Sequence, residues 1–214
     1  MIHWEWTGKA DDAQAWNFYS SGTGQSGAMA LSTAADTVLT NAQSLKLTQQ
    51  TSSGNGTCNS RLVLPGWIGY TKFRVTWVYR VDVVDANFYT LQFRCYDFNG
   101  TDGVSYSMQQ NSGVGATEEM QYFNDSGVAV DTGFYYPEDK GLGDTAWHTI
   151  GFDVNAVDYE YTALYFDTQY DLAAKSAKSI AYAAETGVYL EQILVGNTTL
   201  STIYIDSVTV DLLE

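Results

Sequence analysis

The sequence predicts an all-β protein, folded as a two-sheet antiparallel sandwich with at most one short helix. The clearest evidence is residues 72–83, in which large apolar side chains alternate with mostly polar ones. The same alternation returns near the end of the chain, in residues 203–211. A period of two is typical of a strand with one face in a core and one in water. With 214 residues, 45% of them hydrophobic, the chain is expected to form a single domain, 1–214.

Individual strands can be placed from this alternation and from the Gly, Asn and Pro residues that interrupt it. Residues 20–42 are expected to be mostly loop with a short strand, and residues 51–60 to be a turn-rich loop. Residues 171–185 are rich in alanine and precede Gly187, so they are the helix candidate. Strands are predicted around residues 4–6 and at 43–49, 61–64, 72–83, 89–97, 103–109, 119–123, 147–154, 161–167, 188–195 and 202–212.

The two cysteines differ in their predicted surroundings. Cys95 shares a strand face with Leu91 and Phe93, which we assign to the core, whereas Cys58 lies in a Ser-, Gly- and Asn-rich segment. One disulfide is possible, but two unpaired thiols are favoured. No second Cys or His stands at ligand spacing, so a thiolate metal site is not predicted.

The amino-acid composition argues against some classes of binding partner. The chain has 10 Lys and Arg against 25 Asp and Glu, a net charge of −15. Charge of that sign repels phosphate backbones and anionic membranes, so neither nucleic-acid binding nor membrane insertion is predicted. No apolar run is long enough to span a bilayer. The first residues have neither a basic nor an apolar region, so no signal peptide is expected.

Five short motifs are spread over nearly the whole chain. They are Trp-Glu-Trp at 4–6, Asn-Ala-Gln-Ser-Leu-Lys-Leu at 41–47, Trp-His at 147–148, Leu-Tyr-Phe-Asp at 164–167 and Ile-Tyr-Ile-Asp at 203–206. The first two resemble the opening strands of carbohydrate-binding modules, the next two a strand pair of laminin-G-like domains, and the last the final strand of both groups. The sequence thus resembles the concanavalin A-like and laminin-G-like jelly-roll superfamily, including carbohydrate-binding modules. The resemblance implies a jelly-roll sandwich and, more weakly, a carbohydrate ligand.

A structural Ca²⁺ is a further implication of this resemblance. In many carbohydrate-binding modules of this shape, an early Glu and an Asp of the last strand hold a calcium ion. The matching positions are Glu5 and Asp206, and carboxylate oxygens suit a hard cation. The alternative is that both are ordinary exposed residues at a sheet edge.

A polar face is the candidate ligand- or partner-binding surface. Four of the ten cationic side chains fall on the polar faces of two strands that we expect to be neighbours, together with a Gln and a Tyr. The six residues are Lys72, Arg74, Arg80, Gln92, Arg94 and Tyr96. They could bind a glycan, form an interface with another subunit, or pair with the many carboxylates of the chain.

The sequence predicts no catalytic site. Glycoside hydrolysis needs two carboxyl groups facing each other across a sugar. Glu118 and Glu119 are adjacent, so they point to opposite faces of a strand, and the carboxylates between residues 153 and 160 span a predicted turn. The only histidines are His3 and His148, and a His-based triad is not indicated.

Two functions remain. The first is a non-catalytic structural or recognition protein on the surface of a bacteriophage particle, as capsid decoration or a tail-associated protein, with other virion proteins, further copies of itself or glycans as partners. Phages use laminin-G-like jelly rolls in this way, so the resemblance allows this function. The alternative is an extracellular carbohydrate-binding module cut from a secreted glycanase.

Overall fold

The computed structural model describes residues 3–6, 16–21, 27–33, 39, 41, 43–52, 56–64, 71–83, 88–99, 102–113, 119–135, 146–181, 186–196 and 200–213. These residues form seventeen β-strands and no helix. Accordingly, this part of the chain has no helix that could cross a membrane. Every pairing between its strands is antiparallel, as the sequence predicts.

The described strands lie in two sheets. Sheet A contains β1 (His3–Trp6), β3 (Ala28–Ser32), β4 (Ser44–Gln49), β6 (Lys72–Val83), β11 (Trp147–Asn155), β12 (Glu160–Phe166), β13 (Gln169–Asp171), β14 (Lys175–Ser176) and β17 (Ser201–Leu212). Sheet B contains β2 (Trp16–Ser21), β5 (Gly56–Leu64), β7 (Phe88–Asn99), β8 (Asp102–Gly113), β9 (Glu119–Phe123), β10 (Ala129–Tyr135), β15 (Lys178–Ala181) and β16 (Thr186–Gly196).

The order of strands in each sheet is not their order along the chain. Sheet A runs β13-β12-β11-β6-β17-β4-β3, with β1 beside β17 and β14 beside β12. Sheet B runs β10-β9-β8-β7-β16-β5-β2, with β15 beside β8. Neighbours such as β6 and β17 are thus far apart in sequence. This arrangement is a two-sheet antiparallel sandwich, and the predicted fold class is confirmed.

The core lies between the two sheets and contains many aromatic rings. Trp77 of β6 meets Phe93 of β7 with ring centroids 5.6 Å apart, and Tyr79 of β6 approaches the same ring at 4.7 Å. All three side chains are fully buried. These contacts show that the inner faces of β6 and β7 stack on each other across the sandwich. Consequently their polar faces point in opposite directions.

The helix predicted at residues 171–185 is not formed in its described part. Residues 169–171, 175–176 and 178–181 are the short strands β13, β14 and β15, while residues 182–185 lie outside the described part. The segment pairs first with β12 in sheet A and then with β8 in sheet B. Pairing with two exposed sheet edges therefore outweighs the weak helical preference of its alanines.

The loop predicted at residues 51–60 ends earlier than expected, because β5 begins at Gly56. A Cβ on Gly56 would lie 2.4 Å from Thr51 Cγ2, so only glycine fits there. Cys58 is consequently a buried strand residue, and Cys95 is buried as predicted. Both thiols are free, as favoured by the sequence. Burial raises the pKa of Cys58 to about 12, which makes it an unreactive thiol.

Candidate functional site

The six predicted surface residues do not share one face. Lys72, Arg74 and Arg80 are on β6 and therefore on the outer face of sheet A. Gln92, Arg94 and Tyr96 are on β7 and therefore on the outer face of sheet B. The prediction of a single cationic face is wrong, because the alternation within a strand identifies its polar side but not the sheet to which the strand belongs.

On sheet A, Arg74 is already paired with a carboxylate of the protein itself. Arg74 donates to both carboxylate oxygens of Asp153, from Nε at 2.6 Å and from NH2 at 2.9 Å. The Tyr165 hydroxyl donates to the same carboxylate at 2.6 Å. Burial, followed by the hydrogen bond to Asp153, raises the pKa of Tyr165 to about 12. Because the guanidinium fork is occupied by this pair, its role here is structural.

A second residue on this face behaves similarly. Arg80 pairs with Asp82 at 3.0 Å on its own strand. Lys72, at the start of β6, is exposed. On the outer face of sheet A, Arg74 and Arg80 thus form ion pairs with carboxylates of the protein itself. This is the simplest of the three alternatives that the sequence left open.

On sheet B, the strand register aligns a charged row across four strands. Arg61 of β5 pairs with Glu191 of β16, Glu191 pairs with Arg94 of β7, and Arg94 pairs with Ser107 of β8. These four residues are the charged row. Glu191 is only 2% exposed, and its carboxylate lies 3.4 Å from Arg61 and 3.9 Å from Arg94. One buried carboxylate therefore serves two guanidinium groups, so the row carries a net positive charge.

Two neutral side chains also donate hydrogen bonds to the Glu191 carboxylate. Asn59 Nδ2 donates to its carboxylate at 2.6 Å, and the Tyr96 hydroxyl donates at 3.3 Å. Arg94 in turn donates to the Tyr96 oxygen at 3.1 Å. Arg61 lies about 6 Å from the rings of three tyrosines, which surround its other side; these are Tyr19, Tyr96 and Tyr189.

A second row, the amide row, runs parallel to the first. The register aligns Gln92 of β7 with Gln109 of β8, Gln121 of β9 and Asp131 of β10. Each amide donates to the next member, at 2.8, 2.6 and 2.7 Å. The row starts at Arg94, which donates to Gln92. Because a guanidinium only donates and a carboxylate only accepts, the two ends fix the direction of every amide.

A polar pocket opens where β8 changes its partner. Strand β8 pairs with β15 through residues 102–105 and with β9 through residues 108–110. The pocket has a volume of about 190 Å³. Its lining includes Arg94 and Tyr96 of β7, Ser105 and Ser107 of β8, Phe123 of β9, Gly127 of the following turn, and Lys178 and Ile180 of β15.

Tyr161 of β12 contacts the backbone of the pocket from the core side. Its hydroxyl accepts the backbone N–H of Ser107 at 2.7 Å and donates to the carbonyl of Phe123 at 3.0 Å. These groups lie where β8 passes from its pairing with β15 to its pairing with β9. Burial raises the pKa of Tyr161 well above its usual value, so the hydroxyl stays protonated. The floor and one wall of the pocket are therefore fixed by a core residue.

Only part of this site can be predicted from the sequence. Gln92, Arg94 and Tyr96 belong to it, whereas Arg61, Glu191 and the residues of β8, β9 and β15 were missed. A signal existed for Glu191, since it is the charged residue of a largely apolar strand. Its partners could not be found from the pattern, because they come from strands distant in sequence.

The predicted calcium ligands are not set side by side. Glu5 is exposed and lies opposite Thr209, three residues beyond Asp206, which is about 10 Å along a strand. Asp206 is fully buried at a β-bulge, and its carboxylate accepts the N–H of Leu39 at 2.8 Å and the amide of Asn41 at 3.1 Å. The described residues contain no group of three acidic, His or Cys side chains, and calcium binding stays a prediction.

The carboxylates that were considered for catalysis have structural partners. Asp153 binds Arg74, as described above, and Asp158 accepts from Asn155 at 2.6 Å. His148 is buried, contacts Asp167 at 2.8 Å through Nδ1, and stacks on Phe166. It is therefore positioned as a packing residue near the start of β11. Glu118 and the side chains of His3 and Glu119 lie outside the described part of the structure.

Comparison with known proteins identifies the fold. No protein-family model matches the sequence, and no curated protein is detectably similar to it. Solved structures do match: the carbohydrate recognition domain of Emp46p in its potassium-bound form has a TM-score of 0.57 at 10% identity, over 94% of this chain and 90% of that one. The metal-free lectin I-B4 of Griffonia simplicifolia has a TM-score of 0.55 at 10% identity, over 99% of both chains.

The chain has the concanavalin A-like lectin fold. A third match is a conserved carbohydrate esterase from Shiga toxin-encoding bacteriophage phi24B, with a TM-score of 0.51 at 14% identity, over 98% of this chain and 97% of that one. The jelly-roll resemblance seen in the sequence is therefore confirmed. At these identities the likeness establishes the fold, whereas the function has to be argued from the site.

Proposed function

We propose that this protein is a non-catalytic recognition protein that binds glycans through the outer face of sheet B. The observation that carries the proposal is the pocket beside the charged and amide rows. Sugar hydroxyls both donate and accept hydrogen bonds. This face offers amides, hydroxyls, a guanidinium and aromatic rings within a few strands, which is the mixture that fixes the orientation of a polar ligand.

The comparisons support a carbohydrate ligand but not a particular one. Two of the three solved structures described above are a lectin and a carbohydrate recognition domain. The third is a carbohydrate esterase, so hydrolysis is a possible outcome for any functional assay. We place the protein among the binders because Glu191 and Asp153, two buried carboxylates of sheets B and A, are each bound to arginine.

We further propose that the protein is displayed on the surface of a bacteriophage particle, as capsid decoration or a tail-associated protein. The net charge of −15 would favour solubility and keep crowded particles apart. The similarity to a phage protein in fold is compatible with this location. Other virion proteins or further copies of the chain would then be its protein partners.

A glycan array with the purified protein tests the binding. Arg94→Ala should abolish or strongly weaken glycan binding, because it removes the guanidinium at the junction of the two rows. Arg74→Ala is the matched control, since it removes the same side chain from the opposite outer face. If wild type binds no glycan, or if both variants lose binding equally, the proposed site is wrong. If wild type releases sugar or acyl groups from a glycan, the protein is an enzyme and the proposal of a non-catalytic recognition protein is wrong.

Mass spectrometry and imaging of purified particles test the location. The protein should be found on the particles, and antibodies should label their surface. Absence from particles, together with a native gene that encodes a glycanase domain in the same reading frame, would favour the alternative of a carbohydrate-binding module from a secreted enzyme.

A further inference from the structure

We infer that the pocket between β7, β8 and β15 selects an anionic sugar, one that carries a carboxylate or a sulfate. This inference rests on the proposed glycan binding and names the class of sugar. Arg94 and Lys178 line the pocket, and none of its described lining residues is acidic. Two of only 10 cationic side chains therefore meet in one pocket of a chain with 25 acidic residues.

The charge of Arg94 is not cancelled by its partner. Glu191 is shared between Arg61 at 3.4 Å and Arg94 at 3.9 Å, so the three groups together carry one positive charge. Lys178 adds a second positive charge at the opposite wall. An anion in the pocket would thus face two cations, and hydrogen bonds between groups of opposite charge are stronger than those between neutral groups.

The side chain of Lys178 packs against the turn that contains Gly127. Gly127 has a φ of +70°, and a Cβ there would lie 2.9 Å from Lys178 Nζ and 3.0 Å from its Cδ. The lysine chain therefore rests on the bare backbone of the turn. Glycine at this position both permits the left-handed conformation and leaves room for the amine.

A buried hydroxyl in the same pocket points to a missing partner. Ser107 is 2% exposed, and its Oγ has no hydrogen-bond partner among the described residues. Buried polar atoms are nearly always satisfied in native proteins. A ligand oxygen that reaches the floor beside Arg94 would satisfy this hydroxyl, and a carboxylate or sulfate has oxygens enough to contact both groups.

The volume of the pocket limits how many sugar residues it can hold. A volume of about 190 Å³ is below the range of about 300–1,000 Å³ that is usual for drug-sized ligands. It suits one charged sugar residue. The neighbouring amide row, which starts at Arg94 and runs across four strands, would contact adjoining neutral residues of the same glycan.

Matched glycans test the inference by titration calorimetry. Oligosaccharides of one backbone are compared in neutral, carboxylated and sulfated forms, with wild type and with Lys178→Gln. Wild type should prefer an acidic form, and Lys178→Gln should weaken that binding roughly ten-fold while leaving the neutral form unchanged. Lys46→Gln is the control, because it removes the same charge from the outer face of sheet A. Thermal melts confirm that each variant is folded.

The outcomes separate the two proposals. If wild type binds neutral and acidic forms equally, the inference fails while glycan binding stands. If it binds none of them, both fail. If Lys178→Gln lowers the affinity for neutral and acidic forms equally, the amine acts as an ordinary hydrogen-bond donor. This result too would overturn charge selection. A preference for one acidic form over the other identifies the anion.

Discussion

Glu191→Gln is the substitution that tests most directly how the outer face of sheet B is stabilised. The change keeps the shape of the side chain and an oxygen that can accept from Asn59, but it removes the charge. Arg61 and Arg94 then lose their shared partner while staying 29% and 28% exposed. We expect the variant to be less stable than wild type, because two neighbouring cations are left uncompensated.

The magnitude follows from the two distances. At 3.4 and 3.9 Å, with an effective dielectric constant of about 20, each pair is worth about 4–5 kcal/mol before costs. The penalty for burying the carboxylate and the partial exposure of both arginines offset most of this attraction. We expect a net loss of about 2 kcal/mol, below the ~3–5 kcal/mol of a fully buried pair, because both arginines are partly exposed. For a chain of this size, each kcal/mol lowers the melting temperature by about 2–4 °C.

Denaturant unfolding of a double-mutant cycle with Arg61→Gln is the assay. Arg61→Gln alone should destabilise wild type. In the Glu191→Gln background the same change should be neutral or stabilising, since it then relieves repulsion between Arg61 and Arg94. Additive effects of the two substitutions would refute the shared-carboxylate argument. So would a Glu191→Gln protein as stable as wild type.

Three further predictions concern stability. Burial raises the pKa of Asp97 to about 6 from 3.8, so its stabilising contribution is complete below pH 3.8 and is lost as the pH rises through 6; Asp97→Asn should be more stable than wild type by up to about 3 kcal/mol at pH 7.5, and equal stability of the two proteins there in urea would contradict this. Tyr161→Phe should lose about 1–3 kcal/mol by leaving buried backbone groups unpaired; a smaller loss in denaturant melts would show that water replaces the hydroxyl. If calcium binds at Glu5 and Asp206, excess chelator should lower the melting temperature of wild type but not of Asp206→Asn; an equal response, or none, rejects the site.

The strands were the part of the fold most accessible from sequence. The alternation at residues 72–83 placed β6 with its bounds unchanged, and it assigned Trp77 to the core. The same logic placed Cys95 in the core and Arg94 on an outer face. Such assignments succeed because the period of two is a property of a single strand and is written in consecutive residues.

The sequence by itself therefore determined the class of fold and the inward or outward direction of most side chains. Only the tertiary structure decided which outward side chains meet. Strands β6 and β7 follow each other in sequence yet lie in different sheets, which separated Arg74 from Arg94. Glu191 met its two arginines, and Lys178 reached the pocket, through pairings between strands distant in the chain. Those pairings depend on how the whole apolar surface is buried at once, and no local pattern encodes them.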